Sequence, residues 1–201
     1  MRDKIMCSRL PIGCKNMKRK YRLFCILFIL LSSLCLTSCN YKKENTIIGK
    51  KSLNEVIAEV DNSISERYEG QAGAVFMGVP VTDRYLQEFC QIEPEYYSEF
   101  AGNVSYSITN SDCLIAVKAS KNNEEYILKA LQKRLIDITD QYERFPVNNS
   151  YERALSGSVY QKGSYIFLIA VGIEPDYSSS GANMFIKDAL LVQQTIDSLF
   201  Y

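Results

Sequence analysis

Close-set carboxylates and cysteines are the residues of this sequence with chemistry to offer, and they have no imidazole to work with, because the 201 residues include no histidine. Ser-His-Asp and Cys-His catalysis are excluded on that ground, as are His-bearing zinc sites. No G-x-x-x-x-G-K-[ST] or G-x-G-x-x-G loop is present to cradle phosphates or a dinucleotide, and no motif marks a Ser/Lys dyad. Glu93, Glu95 and Glu99 stand close together, and Asp137 and Asp140 are spaced i, i+3 on one helix face. A pair of acids can hydrolyse a glycosidic bond or hold a hard cation, yet in an acidic segment the same groupings arise as ordinary solvated surface. Glu125, four residues before Lys129, reads as surface support of a helix. No residue is assigned a catalytic, cofactor-binding or metal-ligating role, and no cofactor is expected.

The cysteines divide by position. Cys7, Cys14, Cys25, Cys35 and Cys39 fall in the first 39 residues, leaving Cys90 and Cys113 beyond them. That is not the disulfide framework of a small secreted domain. Cys90 lies in LQEFCQI and Cys113 in DCLIAV, apolar surroundings in which cysteine behaves as a small hydrophobe. Buried free thiols and a bridge both remain open; a bridge requires Cα atoms within about 7 Å.

Charge divides at the same place. Residues 1–39 carry eight Lys/Arg against one Asp, and residues 40–201 carry 15 Lys/Arg against 22 Asp/Glu, so +7 is followed by −7. The acidic remainder argues against nucleic acid as a partner, which demands a basic stripe. A basic head before an apolar run is the pattern of an export signal. After KRKYR the run LFCILFILLSSLCL spans about 21 Å as a helix, short of the roughly 30 Å hydrocarbon core of a bilayer. The tetrad Leu36-Thr37-Ser38-Cys39 has the form of a lipobox, an aliphatic residue three before the cysteine with small residues between. It resembles the signal of exported bacterial lipoproteins. That resemblance implies that the Cys39 thiol receives a diacylglyceryl group and that Cys39 becomes the mature N-terminus, held on the membrane by acyl chains; two such chains anchor stably where one binds marginally. An uncleaved anchor and an ordinary secretory signal are the competing readings. Residues 1–16 lack apolar periodicity, and a start at Met17 is expected. The organisation expected is a signal peptide over 1–38, the lipidated Cys39 with a polar tether over 39–51, and one domain over 52–201.

The elements that would carry this domain follow from periodicity. Ser52 and Glu55 form a capping-box signature, after which Leu53, Val56, Ile57, Val60 and Ile64 share one helical face to about Tyr68. Gly70, Gly73, Gly78 and Pro80 punctuate a loop. A helix-rich stretch is expected from Thr82 to about Phe100, broken near Pro94. It carries Tyr85, Leu86, Phe89, Tyr96, Tyr97 and Phe100, as aromatic core or as a groove for a peptide or glycan. Val104, Tyr106 and Ile108 alternate with polar residues and predict a strand, Asn110-Ser111 a turn, and Cys113–Ala119 a more buried strand. The helix that follows has Asn123 as a candidate cap and buries Ile127, Leu131, Leu135, Ile138 and Tyr142, ending at Pro146. NNSYERALSG reads as a polar loop. A second hairpin pairs 158–161 with 164–172, whose YIFLIAVG is apolar on both faces and suits a central strand. After a Ser-rich loop from Pro175 to Gly181, a last helix turns Phe185, Ala189, Val192, Ile196 and Leu199 inward. LIAV occurs at 114–117 and 168–171, which leaves an internal duplication open. The fold class expected is α+β: a mostly antiparallel four-stranded sheet, hairpin-helix-hairpin-helix, with helices packed on one face and N-terminal helices before it.

The segments SISERY, DRYLQEFCQIEPEYYSEF, DCLIAVKA leading into EEYILKALQKRL, and GSVYQKGSYIFLIAVG resemble a family of small membrane lipoproteins of clostridia and related Firmicutes that carry an uncharacterised domain, domain of unknown function 4358. The resemblance spans roughly residues 53–198 and implies no reaction, ligand or functional residue. The expected protein is an extracytoplasmic, lipid-anchored surface lipoprotein, a binding or scaffolding module without catalysis. Its partners would be the membrane, through the anchor, and a protein or small molecule. The rival expectations are an envelope enzyme working through a carboxylate pair, for instance on wall glycan, and an accessory subunit of a transporter or sensor.

Overall fold

The computed structural model describes residues 51–70, 73–173 and 181–200. Cys39 with its preceding Leu36, Thr37 and Ser38, the start at Met17, the tether up to Lys50 and most of the Ser-rich loop lie outside the described residues. Among the described residues, no helix is long and apolar enough to cross a membrane.

Helix α1 (Leu53–Arg67) starts on the capping box its sequence announces: Ser52 Oγ accepts from the Glu55 backbone N–H at 3.4 Å, and Glu55 Oε2 accepts from the Ser52 N–H at 2.7 Å. Each side chain satisfies a backbone donor that the first helical turn leaves without a partner. All five apolar residues of the expected stripe are buried. Strand β1 (Gly78–Pro80), helix α2 (Asp83–Cys90), a 3-10 turn at Pro94–Tyr96, and strands β2 (Tyr97–Ser105) and β3 (Cys113–Ala119) follow. Then come the long helix α3 (Glu124–Arg144), the short α4 (Ser150–Leu155), strands β4 (Ser158–Lys162) and β5 (Tyr165–Ala170), and α5 (Gly181–Leu199).

The sheet has five strands in the order β1-β2-β3-β5-β4, every neighbouring pair antiparallel. Four strands were expected; the fifth is β1. It is three exposed residues long and pairs through its backbone with Asn103–Ser105, so no apolar alternation betrays it. Pro80 is tolerated there because an edge strand can spare an N–H.

Helices cover both faces of the sheet, which corrects the one-faced packing expected. On one side α1 and α5 bury Leu114 and Ala116 of β3 and Tyr165, Phe167 and Ile169 of β5. On the other, α2, α3 and α4 bury Cys113, Ile115, Val117 and Ala119 of β3 with Ile166, Leu168 and Ala170 of β5. All six residues of β5 are buried. A strand apolar on both faces needs cover on both, and two helix layers supply it. The two LIAV tetrads stand in opposite phase, Leu114 facing the α1/α5 layer and Leu168 the other, so the repeated tetrads do not occupy equivalent positions in the pleat.

Three local expectations also change. Tyr97–Phe100, read as helical, belong to β2; the strand opens seven residues earlier than the alternation at Val104 suggests and stops at Ser105. Gly102 lets β2 pass β3 closely: its φ is +148°, and a Cβ there would lie 2.2 Å from the Leu114 carbonyl oxygen. Ser150–Leu155, read as loop, forms α4, whose buried residues are Ser150, Arg153 and Ala154. Asn123 does stand at the N-cap of α3, but its side chain makes no capping hydrogen bond.

Candidate functional site

The residues picked out for chemistry are dispersed by the fold. Glu99, on β2, accepts from the backbone N–H of Leu53 at 2.7 Å and so ties the start of α1 to the sheet. Glu93 accepts from Gln87 Nε2 at 3.0 Å, and Asp137 pairs with Lys133 at 2.6 Å, one turn away on α3. Glu125 and Lys129 form the surface pair expected, at 2.6 Å. Among the described residues, no three His, Cys, Asp or Glu side chains are grouped as metal ligands would be. Cys90 and Cys113 are both free and buried in one hydrophobic layer. Burial pushes each thiol up to about 12, which keeps it protonated and unreactive at neutral pH.

What the fold does assemble is a cleft of about 260 Å³ between α2, α3 and the turn that joins β2 to β3. Helix α2 contributes Tyr85 and Phe89; α3 contributes Arg134, Ile138, Gln141 and Tyr142; the turn contributes residues from Val104 to Cys113. The turn is held from behind. Tyr142 donates its hydroxyl to the Asn110 carbonyl at 2.8 Å, Ser111 donates to the Ser150 carbonyl at 2.7 Å, and Ser150 returns a bond to the Thr109 carbonyl at 2.7 Å.

Behind the turn lies a buried charged cluster. Arg153, 3% exposed, donates from Nη1 to Asn110 Oδ1 at 2.8 Å and from Nε to the Gly172 carbonyl at 3.0 Å. Asp112 Oδ1 sits 2.7 Å from Arg153 Nε, but that N–H serves Gly172, so the contact is one of charge with charge and Oδ1 accepts no hydrogen bond. Asp112 Oδ2 accepts from the Phe76 N–H at 2.7 Å and from Asn110 Nδ2 at 3.1 Å. Burial raises the Asp112 carboxyl to about 6, against the pull of Arg153 and these two donors. Across Phe185, whose ring centroid lies 4.8 Å from the Arg153 guanidinium carbon, α5 supplies the fully buried Asp188. Asp188 stands 2.9 Å from Arg67 Nε and accepts from the Tyr68 hydroxyl at 2.6 Å.

Arg134 differs from Arg67 and Arg153 in having no carboxylate against it among the described residues. Its guanidinium carbon lies 5.6 Å from the Tyr85 ring centroid and 5.4 Å from that of Phe89. Nε and Nη2 donate to the Tyr85 hydroxyl at 3.2 and 2.9 Å. An arginine has five N–H groups; these two bonds leave the Nη1 pair and one Nη2 hydrogen without an acceptor among the described residues. Tyr85, Tyr142, Cys90 and Cys113, titratable groups that interact with it, are each pushed up mainly by burial and stay protonated at neutral pH. At the mouth, Phe89, Tyr106 and Ile108 are 51%, 76% and 86% exposed.

Sequence reasoning overlooked Arg134, though a signal exists. Position 134 falls with Leu131, Ile138 and Tyr142 on the stripe that α3 turns inward, so a cation interrupts an otherwise apolar face. The aromatic stretch divides as well: Leu86 is core, whereas Tyr85 and Phe89 line the cleft.

An antiparallel sheet covered by helices on both faces, with a cleft at the turn of its central hairpin, makes this a small α+β domain. The family model described as Domain of unknown function (DUF4358) matches residues 71–171, just over half of the chain, and the chain belongs to that family. The matched span is narrower than the resemblance read from sequence motifs; it contains every residue of the cleft and leaves out α1 and α5. No curated protein and no solved structure matches the chain.

Proposed function

We propose that this protein is an exported lipoprotein, fastened to the outer face of the cell membrane through acyl chains on Cys39, and that its domain is a binding module holding a small ligand in the cleft without transforming it. The single observation that carries the binding role is Arg134, a cation in the cleft lining with N–H donors that no described residue uses. Two features of the lining favour holding over reacting. The Tyr85 and Tyr142 hydroxyls and the Cys113 thiol are held protonated by burial, and the lining carboxylate Asp112 is already engaged by Arg153 and by the Phe76 N–H. The anchor is supported by the basic head, the short apolar run and the Leu36-Thr37-Ser38-Cys39 tetrad.

Both halves are testable. Cells fed a tagged palmitate should label the wild-type protein and leave a Cys39→Ala variant unlabelled and released from membranes; equal labelling of the two removes the anchor. The small-molecule fraction of a cell extract should raise the Tm of the wild-type protein, because a ligand that binds only the folded state stabilises it. It should leave a Gln141→Trp variant, whose cleft is filled, unchanged. No shift in the wild type, or the same shift in both, removes the cleft as the ligand site.

A further inference from the structure

We infer that the ligand of this cleft is a small organic monocarboxylate with an apolar or aromatic body, its carboxylate on Arg134 and its body against the apolar mouth. The inference rests on the reading of the cleft as a ligand site and adds the chemical class. The guanidinium is the recognition group: it is planar, always charged and forked, so it matches a carboxylate with two parallel N–H···O bonds. Its position over the Tyr85 and Phe89 rings and its bonds to the Tyr85 hydroxyl hold the fork in place while leaving its remaining donors free.

Charge sets the valence. Behind the turn Arg153 and the ionised Asp112 offset one another, which leaves the single positive charge of Arg134 in the cleft. One negative charge neutralises it, and a phosphate dianion would overshoot. The walls add hydrogen-bonding groups at Ser105, Ser107 and Gln141. Phe89, Tyr106 and Ile108 at the mouth are exposed apolar groups that a ligand's body would cover. At about 260 Å³ the space falls below the ~300–1,000 Å³ usual for drug-sized ligands, which points to a small acid.

The test uses the full chain in detergent and follows binding of 4-fluorophenylacetate by ¹⁹F NMR. Saturable binding is expected, with 4-fluorophenylacetamide, the uncharged counterpart, binding about tenfold or more weakly. Arg134→Gln should lose about as much, and Ile108→Ala, at an exposed site, should weaken the acid while leaving Tm unchanged. Equal binding of acid and amide overturns the proposal from the wild-type protein alone, even where Arg134→Gln does not fold. Inorganic phosphate displacing the acid at equal concentration overturns the monocarboxylate class. Failure of the fluorinated acid, together with binding of a peptide bearing a free but not an amidated C-terminus, overturns the small ligand in favour of a chain end. If the extract shifts Tm but no carboxylate binds, the ligand class fails and the cleft stands; if neither acts, both fall.

Discussion

Asp112 is held in place at a cost. Its carboxylate is taken out of water and approached by Arg153, and desolvation outweighs that attraction, so the carboxyl rises to about 6 from the ordinary 3.8. A folded-state value above the unfolded one means that the native protein binds the proton more tightly. The group's contribution is therefore most favourable at low pH and is lost as pH rises from about 4 through about 6. The shift corresponds to about 3 kcal/mol. Because Asp188 titrates in the same direction, the wild type must be compared with Asp112→Asn, which retains Asp188. The stability of the wild type relative to that variant, from urea unfolding, should fall by about 2 kcal/mol between about pH 4 and about pH 7. A difference that rises over this range would mean that the ion pair, not desolvation, dominates. Asp112 was read in the sequence only as part of a strand's flank, and Arg153 as part of a polar loop. Which charged residues are buried together depends on contacts between positions about forty residues apart, and no local spacing records them.

At the scale of elements, α1, α3 and α5 follow their periodic stripes closely, and one of the errors falls at the cleft. Val104, Tyr106 and Ile108 alternate as a strand would, yet β2 ends at Ser105, and Tyr106 and Ile108 stand exposed on the turn. Their apolar character belongs to the mouth of the cleft rather than to a sheet face. Local patterning that fails where a site is formed is what is expected when function competes with folding consistency. Tyr97–Phe100 were misread because aromatic residues after a proline suit a short helix as well as a strand; pairing with β3 decides it. Where an element rests on local chemistry, its cost can be stated. Ser52→Ala removes one half of the capping box and should destabilise the protein by about 1 kcal/mol in urea unfolding, with Ser52→Thr restoring most of it. A loss below a few tenths of a kcal/mol would show that Glu99, which accepts from the Leu53 N–H, carries the start of α1 by itself.

At the scale of the whole molecule, the family span ends at residue 171, yet the sheet it contains has one face that only α1 and α5 cover. Tyr165, Phe167 and Ile169 pack there in one core with Ala189, Val192, Ile196 and Phe200, and Asp188 joins Arg67 and Tyr68 from α1. A chain stopped after Gly172 should therefore keep the cleft residues in sequence and lose the fold. The expected result is loss of cooperative thermal unfolding, with binding of a hydrophobic dye to the uncovered face. A cooperative melt in the truncated chain would show that the matched span folds on its own.

The sequence by itself determined the charge split, the lipobox-like tetrad, the helices α1, α3 and α5, and the central strands β3 and β5, because each is written in neighbouring residues at a fixed period. It also held the hint that the sheet is covered twice, in a β5 apolar at every position. Only the tertiary structure decided that helices lie on both faces, that Gly78–Pro80 joins the edge, and that Arg134 meets Tyr85 and Phe89 in a cleft it shares with the β2–β3 turn, with no carboxylate beside it among the described residues. Those are outcomes of packing between distant segments. A side chain's partners, unlike its helical or extended period, are set by whichever surfaces the folded chain brings against it.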